Sequence, residues 1–291
     1  MLGGIGNNAP ARRGMGLDAT TLATLRMNRL HQQAMFDSLA RLATGSRFAG
    51  MGRGFGSPAD LIASETLRAT LTALDAETQS NQRALAVSTV AEGALGEISG
   101  LLAEAKSLVA ANADGMLSDA EKDANQIQID SVLASVDRLA GTTNFLGDRL
   151  LGGDAVISSS GEKLTIDSAR TSDLGEIEID GTDHTLQDLK SGGPLATEPE
   201  KASQVLDAAI KEVASSRGRI GAFARNHVRS RLNSLGRAYD EIAKANSMLA
   251  DVDYAAEISR KVREEMLARA TLFTLKAADH ARRDHFFNLL K

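Results

Sequence analysis

The sequence predicts a mainly α-helical protein, with long coiled-coil-like helices toward both ends and a small β-hairpin region in the middle. Three observations predict it. Aromatic residues make up only 3% of the 291-residue chain, with no Trp, so the core must be filled by Leu, Ile, Val and Ala from packed helices. Apolar and small residues alternate at spacings of three and four over about six heptads from Leu67 onward. The period then changes between Thr142 and Pro199, where AVISSS, KLTID and EIEID alternate apolar and polar residues, as half-buried strands do.

Taken in order, Leu22, Leu25, Leu30, Phe36, Leu39 and Leu42 fall on one helical stripe that Gly45 ends. The next stretch, GSRFAGMGRGFGSPAD, carries five glycines before Pro58, and so reads as a loop. Ser57 and Pro58 supply an N-cap and a first-turn proline, with Asp60 near the positive end of the helix dipole. The long helix that follows repeats Leu67, Leu71, Leu74, Thr78, Asn81, Leu85, Ser88, Ala91, Leu95, Ile98, Leu102, Ala105 and Leu108. Asn112 to Gly115 breaks it. Ser118 and Glu121 have the spacing of a capping box, and Ile129, Leu133, Val136 and Ala140 form the inward stripe of a helix that Gly141 is expected to stop.

In the middle, two or three short strands in hairpins are expected, with Gly161, Gly175 and Gly181 as turns. Helical periodicity returns at Val205 or Leu206 and continues through Ala209, Val213, Ser216, Ile220, Phe223, Leu232, Leu235, Tyr239, Ile242 and Leu249. Asp251-Val252-Asp253 interrupts it. A last helix carries Ile258, Val262, Met266, Ala270, Phe273 and Ala277 and ends in Phe286, Phe287, Leu289 and Leu290.

Composition excludes several functions. The absence of cysteine removes disulfides, thiolate zinc sites, iron–sulfur ligation and a cysteine nucleophile. A net charge of −5 gives no global case for nucleic-acid binding. Residues 118–200 carry 17 acidic and 6 basic side chains, whereas 211–291 carry 10 and 16; this suits electrostatic contact between copies and equally a solvated face. The apolar stretches are shorter than the ~18–20 residues of a membrane span, so no membrane insertion is expected. The opening segment has no apolar region of the kind a Sec signal needs.

Other chemical readings find little support. Gly50, Gly52, Gly54 and Gly56 lack the preceding strand and the Gly-Lys-Ser/Thr of a phosphate loop. His280 and His285 are spaced off one helical face, and Asp251 and Asp253 fit a helix break with an N-cap better than a metal pair. No catalytic residue, cofactor or metal site is predicted, and the chain does not read as an enzyme.

Local segments carry a family resemblance. SLARLATGSRFAG at 38–50 resembles the bacterial flagellin stretch "LSSGLRIN", and SPADLIASETLRATLTAL at 57–74 is similar to "AAGLAISEKLRSQIRGL". Residues 88–118 resemble "LQTAEGALNEI…LAVQAANGTLS", and ANQIQIDSVLASVDRLAGTTNFLGDRLLGG at 124–153 resembles "IQEEIDQLLEEIDRIANTTEFNGKKLLNG". The segment from Ala209 to Leu267 resembles the family's closing stretch, including its Asp-Val-Asp.

The resemblance implies a structural protein that polymerises into the helical flagellar filament used for motility. It would be exported unfolded through the flagellar type III apparatus to the cell exterior. Implied partners are further copies of itself, the export apparatus, a flagellin export chaperone, the filament cap and the hook-junction proteins. It implies terminal helices paired antiparallel, with 1–45 and 251–291 as the inner coiled coil and 46–56 as a Gly-rich linker. Residues 57–250 would form a helical rod whose hairpin segment spans about 142–199, with the variable outer domains essentially missing.

The assembly residues are then Leu22, Leu25, Phe36, Leu39 and Leu42 with Phe273, Phe286, Phe287, Leu289 and Leu290; the plain alternative is that they form an intramolecular core. Two departures from the family pattern stand out. Met51-Gly52-Arg53-Gly54-Phe55-Gly56 replaces a more acidic approach to the second helix. LAEAKSLVAA at 102–111 aligns with "LQRVRELAVQ", the stretch read by the innate immune flagellin receptor, and puts Glu104 where that motif has Arg and Ser107 where it has Glu. The other readings are a hook–filament junction protein and, in a different class, a cytosolic coiled-coil adaptor.

Overall fold

A computed structural model describes the backbone of residues 19–49, 57–113 and 116–289, with side chains except at 282 and 284–289. Helices dominate it: α1 (Ala19–Thr44), α2 (Pro58–Ala113), α3 (Asp119–Thr142), α4 (Pro199–Phe223), α5 (Ser230–Ala250) and α6 (Tyr254–Leu289). Between α3 and α4 lie three antiparallel strand pairs and a short 3-10 turn, Leu186–Leu189. The described residues within 1–69 and 242–291 make one compact unit and those within 70–241 another.

The core of the second unit is built on the heptad seam of α2. Ala84, Ser88, Ala91, Leu95, Ile98, Leu102, Ala105 and Val109 are all buried and alternate at four and three residues, which keeps one face turned inward from Ala84 to Val109. Ala84 and Val109 occupy the seam, while Leu85 and Leu108 pack at its side. Ile129, Val132, Leu133, Val136 and Ala140 of α3 face it, as do Val205, Leu206, Ala209, Val213, Ile220 and Phe223 of α4. By length and composition α2 also holds an 18-residue stretch apolar enough to cross a membrane, with mean hydropathy 1.3, where the sequence reading finds none. The helix is rich in Ala and Leu, and its inward stripe is the core seam.

The helix ends show both agreement and correction. Ser57 Oγ accepts from the Ala59 amide at 3.2 Å. Ser118 and Glu121 form the full capping box. Gly141, however, lies inside α3, which ends at Thr142. The stop comes from Thr143, whose amide and hydroxyl both donate to the Leu139 carbonyl, so the last-turn acceptor is satisfied without a glycine. α4 starts at Pro199, in the first-turn position, about two turns before the apolar period shows itself. A π-helical segment, Ala224–Arg229, joins α4 to α5. Of the break before α3, residues 114 and 115 lie outside the described residues, as do Gly50 to Gly56 in the predicted linker.

Six strands form where two or three were expected. β1 (Asn144–Phe145) pairs with β2 (Asp148–Arg149), β3 (Val156–Ser159) with β4 (Glu162–Thr165), and β5 (Ile177–Ile179) with β6 (Thr182–His184). All three pairs turn through two residues with positive φ: Leu146-Gly147, Ser160-Gly161 and Asp180-Gly181, the geometry whose twist matches paired strands. Gly175 is not a hairpin turn. Its φ is +75°, and a Cβ there would lie 2.7 Å from the Val205 carbonyl oxygen, so the glycine lets the chain cross closely over α4.

The β3–β4 hairpin explains the polar interruption of the α2 seam. Buried Ser159 donates to the Asn81 side chain, and Ser160 Oγ donates to Glu77 Oε1 at 2.8 Å. Arg231 Nε reaches the same oxygen at 2.8 Å. The Ser160 hydrogen bond and the Arg231 guanidinium together hold the Glu77 carboxyl below the usual carboxylate range.

Candidate functional site

The site of interest is the pair of terminal helices in the first unit. α1 and α6 run antiparallel and meet along a seam that both sequences place in heptad register. On α1 it comprises Thr21, Thr24, Asn28, His31, Met35 and Ser38, and on α6 Glu257, Lys261, Glu264, Ala268, Thr271 and Leu275; all are buried or half-buried. Most are polar or small. The buried residues of α1 are Thr21, Asn28, Ser38 and Arg41, with no leucine among them.

Hydrogen bonds satisfy this polar interior. Asn28 Nδ2 donates to the Ala268 carbonyl at 3.0 Å and to Thr271 Oγ1 at 2.9 Å. His31 Nδ1 lies 2.6 Å from Glu264 Oε2. Arg41 donates from Nε at 2.9 Å and from Nη2 at 2.6 Å to Glu257 Oε1, and also reaches Ser38 Oγ at 3.2 Å. The two charges are 4% and 7% exposed, so the pair is desolvated and each group depends on the other. Burial pushes the Glu257 carboxyl up, but hydrogen bonds from Arg41 and Ser38 and the charges of Arg41 and Arg260 outweigh it and hold the carboxyl below its usual range.

The end of the helix pair is closed by backbone contacts. Arg47 N donates to the Ala250 carbonyl at 2.8 Å and Val252 N to the Gly45 carbonyl at 3.0 Å. Gly45 has φ +67°, the left-handed conformation that ends α1. Asp253 accepts from the amides of Ala255 and Ala256 at 3.0 and 3.1 Å, so it caps α6 as expected. Asp251 accepts from Ser247 Oγ. Both aspartates are committed to the helix break.

The apolar stripes read from the sequence flank this seam and stay largely outside it. Leu22, Leu25 and Leu39 are about 40% exposed, Phe36 64% and Phe273 75%; Leu42 is half-buried. Ile258, Val262 and Met266 of α6 are exposed as well. The backbones of Phe286, Phe287 and Leu289 belong to α6, their side chains lie outside the description, and Leu290 lies outside the described residues. Sequence reasoning missed the seam itself: the polar residues Asn28, Ser38, Arg41 and Glu257 carry a three-four spacing too, but a polar heptad is not read as an interior.

Comparison with known proteins places this arrangement. Residues 18–155 match the family described as the bacterial flagellin N-terminal helical region, and 203–282 match the bacterial flagellin C-terminal helical region. Flagellin of Bacillus subtilis (strain 168) is 25% identical over 297 residues, covering 91% of this chain and 96% of the relative. A flagellar filament 30.7 kDa core protein of Treponema maltophilum is 25% identical over 266 residues, covering 87% and 92%. Among solved structures, one described as a flagellar hook-associated protein of Vibrio parahaemolyticus superposes with a TM-score of 0.54 at 13% identity, over 66% of this chain and 97% of that one. That likeness is one of fold.

Proposed function

The chain belongs to the bacterial flagellin family, and from that premise we propose that its copies join through the outward apolar faces of α1 and α6. As a flagellin it is a structural subunit of the flagellar filament, a self-assembling homopolymer. The hook–filament junction reading has no observation in its favour, since the hook-associated likeness is limited to fold.

One observation carries the residue-level reading. α1 and α6 spend their mutual contact on Asn28, Ser38, Arg41, Glu257 and Ala268, and leave Leu22, Leu25, Phe36, Leu39 and Phe273 facing outward. A helix pair with polar residues inside and leucines outside is not saturated by its own contact. Leu22, Leu25 and Leu39 are about 40% exposed, so covering what remains contributes ~1 kcal/mol each, and Phe36 and Phe273 more; a polymer gains from the face the single copy cannot cover. Leu42, Phe286, Phe287, Leu289 and Leu290 extend the same stripes by sequence spacing.

The inner coiled coil then comprises 1–45 and 251–291, the linker 46–56 and the rod 57–250. Arms that order fully only on assembly keep free subunits soluble and make growth cooperative, because their ordering entropy is met by several neighbours at once. Export unfolded through the flagellar apparatus, with a chaperone that covers the apolar stripes and a cap at the growing end, fits such arms. The filament is an extracellular structure, and the chain acts there by shape and contact, without cofactor or catalytic group.

Electron microscopy of the protein added to sheared filament seeds tests this, with the intact chain and with both arms trimmed. Long regular growth from the intact chain alone is expected. Intact chain that merely caps the seeds would identify a junction protein, and chain that ignores them would overturn the filament role.

A further inference from the structure

The three hairpins share one turn geometry, and one of them fills it with the wrong kind of residue. The first turn position is left-handed in each, at φ +53° for Leu146, +50° for Ser160 and +54° for Asp180. Ser and Asp are small and polar there. A leucine in that conformation brings its Cβ against the backbone and is disfavoured. Leu146 is also 84% exposed, so its side chain finds no compensating burial within the copy. Asp148 and Arg149 flank it, exposed and without an ion pair among the described residues.

At the other end of α3 lies a groove of about 600 Å³. Val109, Ile129 and Leu195 lie at its base, nearly buried, Asn112, Gln126 and Thr197 line its walls, and its rim carries Asp119, Lys122 and Asp123. None of these three charged groups has an ion-pair partner among the described residues. The groove thus pairs a part-apolar base with a mixed-sign rim, and the hairpin tip pairs an apolar point with a mixed-sign flank. We propose that Leu146 of one copy seats in this groove on a second copy, with Asp148 toward Lys122 and Arg149 toward Asp119 and Asp123. The inference rests on the filament-subunit reading and names a contact within it.

The placement matters as much as the chemistry. Hairpin and groove sit at opposite ends of α3, whose 24 residues span ~36 Å. A knob and a socket on different parts of one molecule allow a head-to-tail contact, which gives an open polymer where its rotation does not close. The left-handed leucine is then a monomer defect retained for a contact that only the polymer makes.

Leu146→Asn tests the proposal, because Asn suits the turn and removes the knob. The critical concentration for growth from sheared seeds is expected to rise about tenfold or more, while the urea midpoint of the free subunit stays level or rises. A second arm uses the absence of cysteine in the chain. Leu146→Cys combined with Ala196→Cys, on the groove lining, is co-assembled with an equal amount of wild-type protein and oxidised. A ladder of covalent oligomers is expected from filaments and none from dilute monomers. An unchanged critical concentration for Leu146→Asn, or filaments of the double variant that give no ladder, overturns the contact while leaving the filament role intact. Failure of the wild-type chain to extend seeds would instead overturn the reading beneath it.

Discussion

Replacing Arg41 by Met is the sharpest probe of the terminal helix pair. The change keeps the length and apolar stem of the side chain but removes the guanidinium that donates twice to Glu257 Oε1. Glu257 is then left 7% exposed, with Arg260 at 3.3 Å from its other oxygen as a weak remaining partner. Leaving one member of a buried ion pair alone costs ~3–5 kcal/mol, and the residual contact to Arg260 argues for the lower end. If α1 and α6 order on assembly, about 3 kcal/mol raises the critical concentration roughly a hundredfold. If they are already paired in the free subunit, the same loss appears as lower helicity by circular dichroism. Arg41→Met combined with Glu257→Leu removes both charges and should recover most of the loss, because well-packed apolar replacements of a buried pair are close to neutral. Seeded growth and circular dichroism on the two single variants and the double variant complete the cycle. If Arg41→Met changes neither readout, or the double variant is as impaired as the sum of the singles, the buried pair is not what joins these helices.

Acidification acts on the same contact. Glu257 has a folded pKa below its unfolded value of 4.5, so its stabilisation is present above that value and is lost as pH falls through the lower folded value; a Glu257→Gln filament titrated alongside the wild type should lack this part of the acid transition. Gly175→Ala combines a φ of +75° with a Cβ 2.7 Å from the Val205 carbonyl oxygen and should destabilise the second unit by at least ~2 kcal/mol, read from the urea midpoint, whereas Gly100→Ala meets no atom within 4 Å and should stabilise it. Glu104 is exposed and Lys106 is engaged with Asp207, so 102–111, which resembles the stretch read by the innate immune flagellin receptor, presents an acidic side chain in place of that motif's Arg. A desolvated contact there loses several kcal/mol, and purified monomer should activate that receptor weakly in a reporter-cell assay.

The fold was largely legible in the sequence because helix periodicity and cap chemistry are local. The α2 seam from Ser88 to Ala105, the Ser118–Glu121 box, the break at Asp251 and the Asp253 cap all depend on residues a few positions apart. Gly141 is a misleading signal because a glycine near a helix end suggests a stop, while Thr143 supplies the cap with its own hydroxyl. The β1–β2 hairpin was missed for a related reason: Leu146 hides a turn that Asn or Asp would have announced.

Sequence alone also determined that α1 and α6 carry apolar stripes at helical spacing, since that is a property of each helix by itself. Only the tertiary structure decided which way the stripes face. A stripe of leucines records that something must cover it, and the covering surface is equally a partner helix of the same chain or a neighbouring molecule. Here the buried Arg41–Glu257 pair and the Asn28 hydrogen bonds to Ala268 and Thr271 form only when α1 and α6 meet in one register. The polar seam can lie inside because each buried charge and amide there finds its partner, and the leucines beside it stay open to other copies.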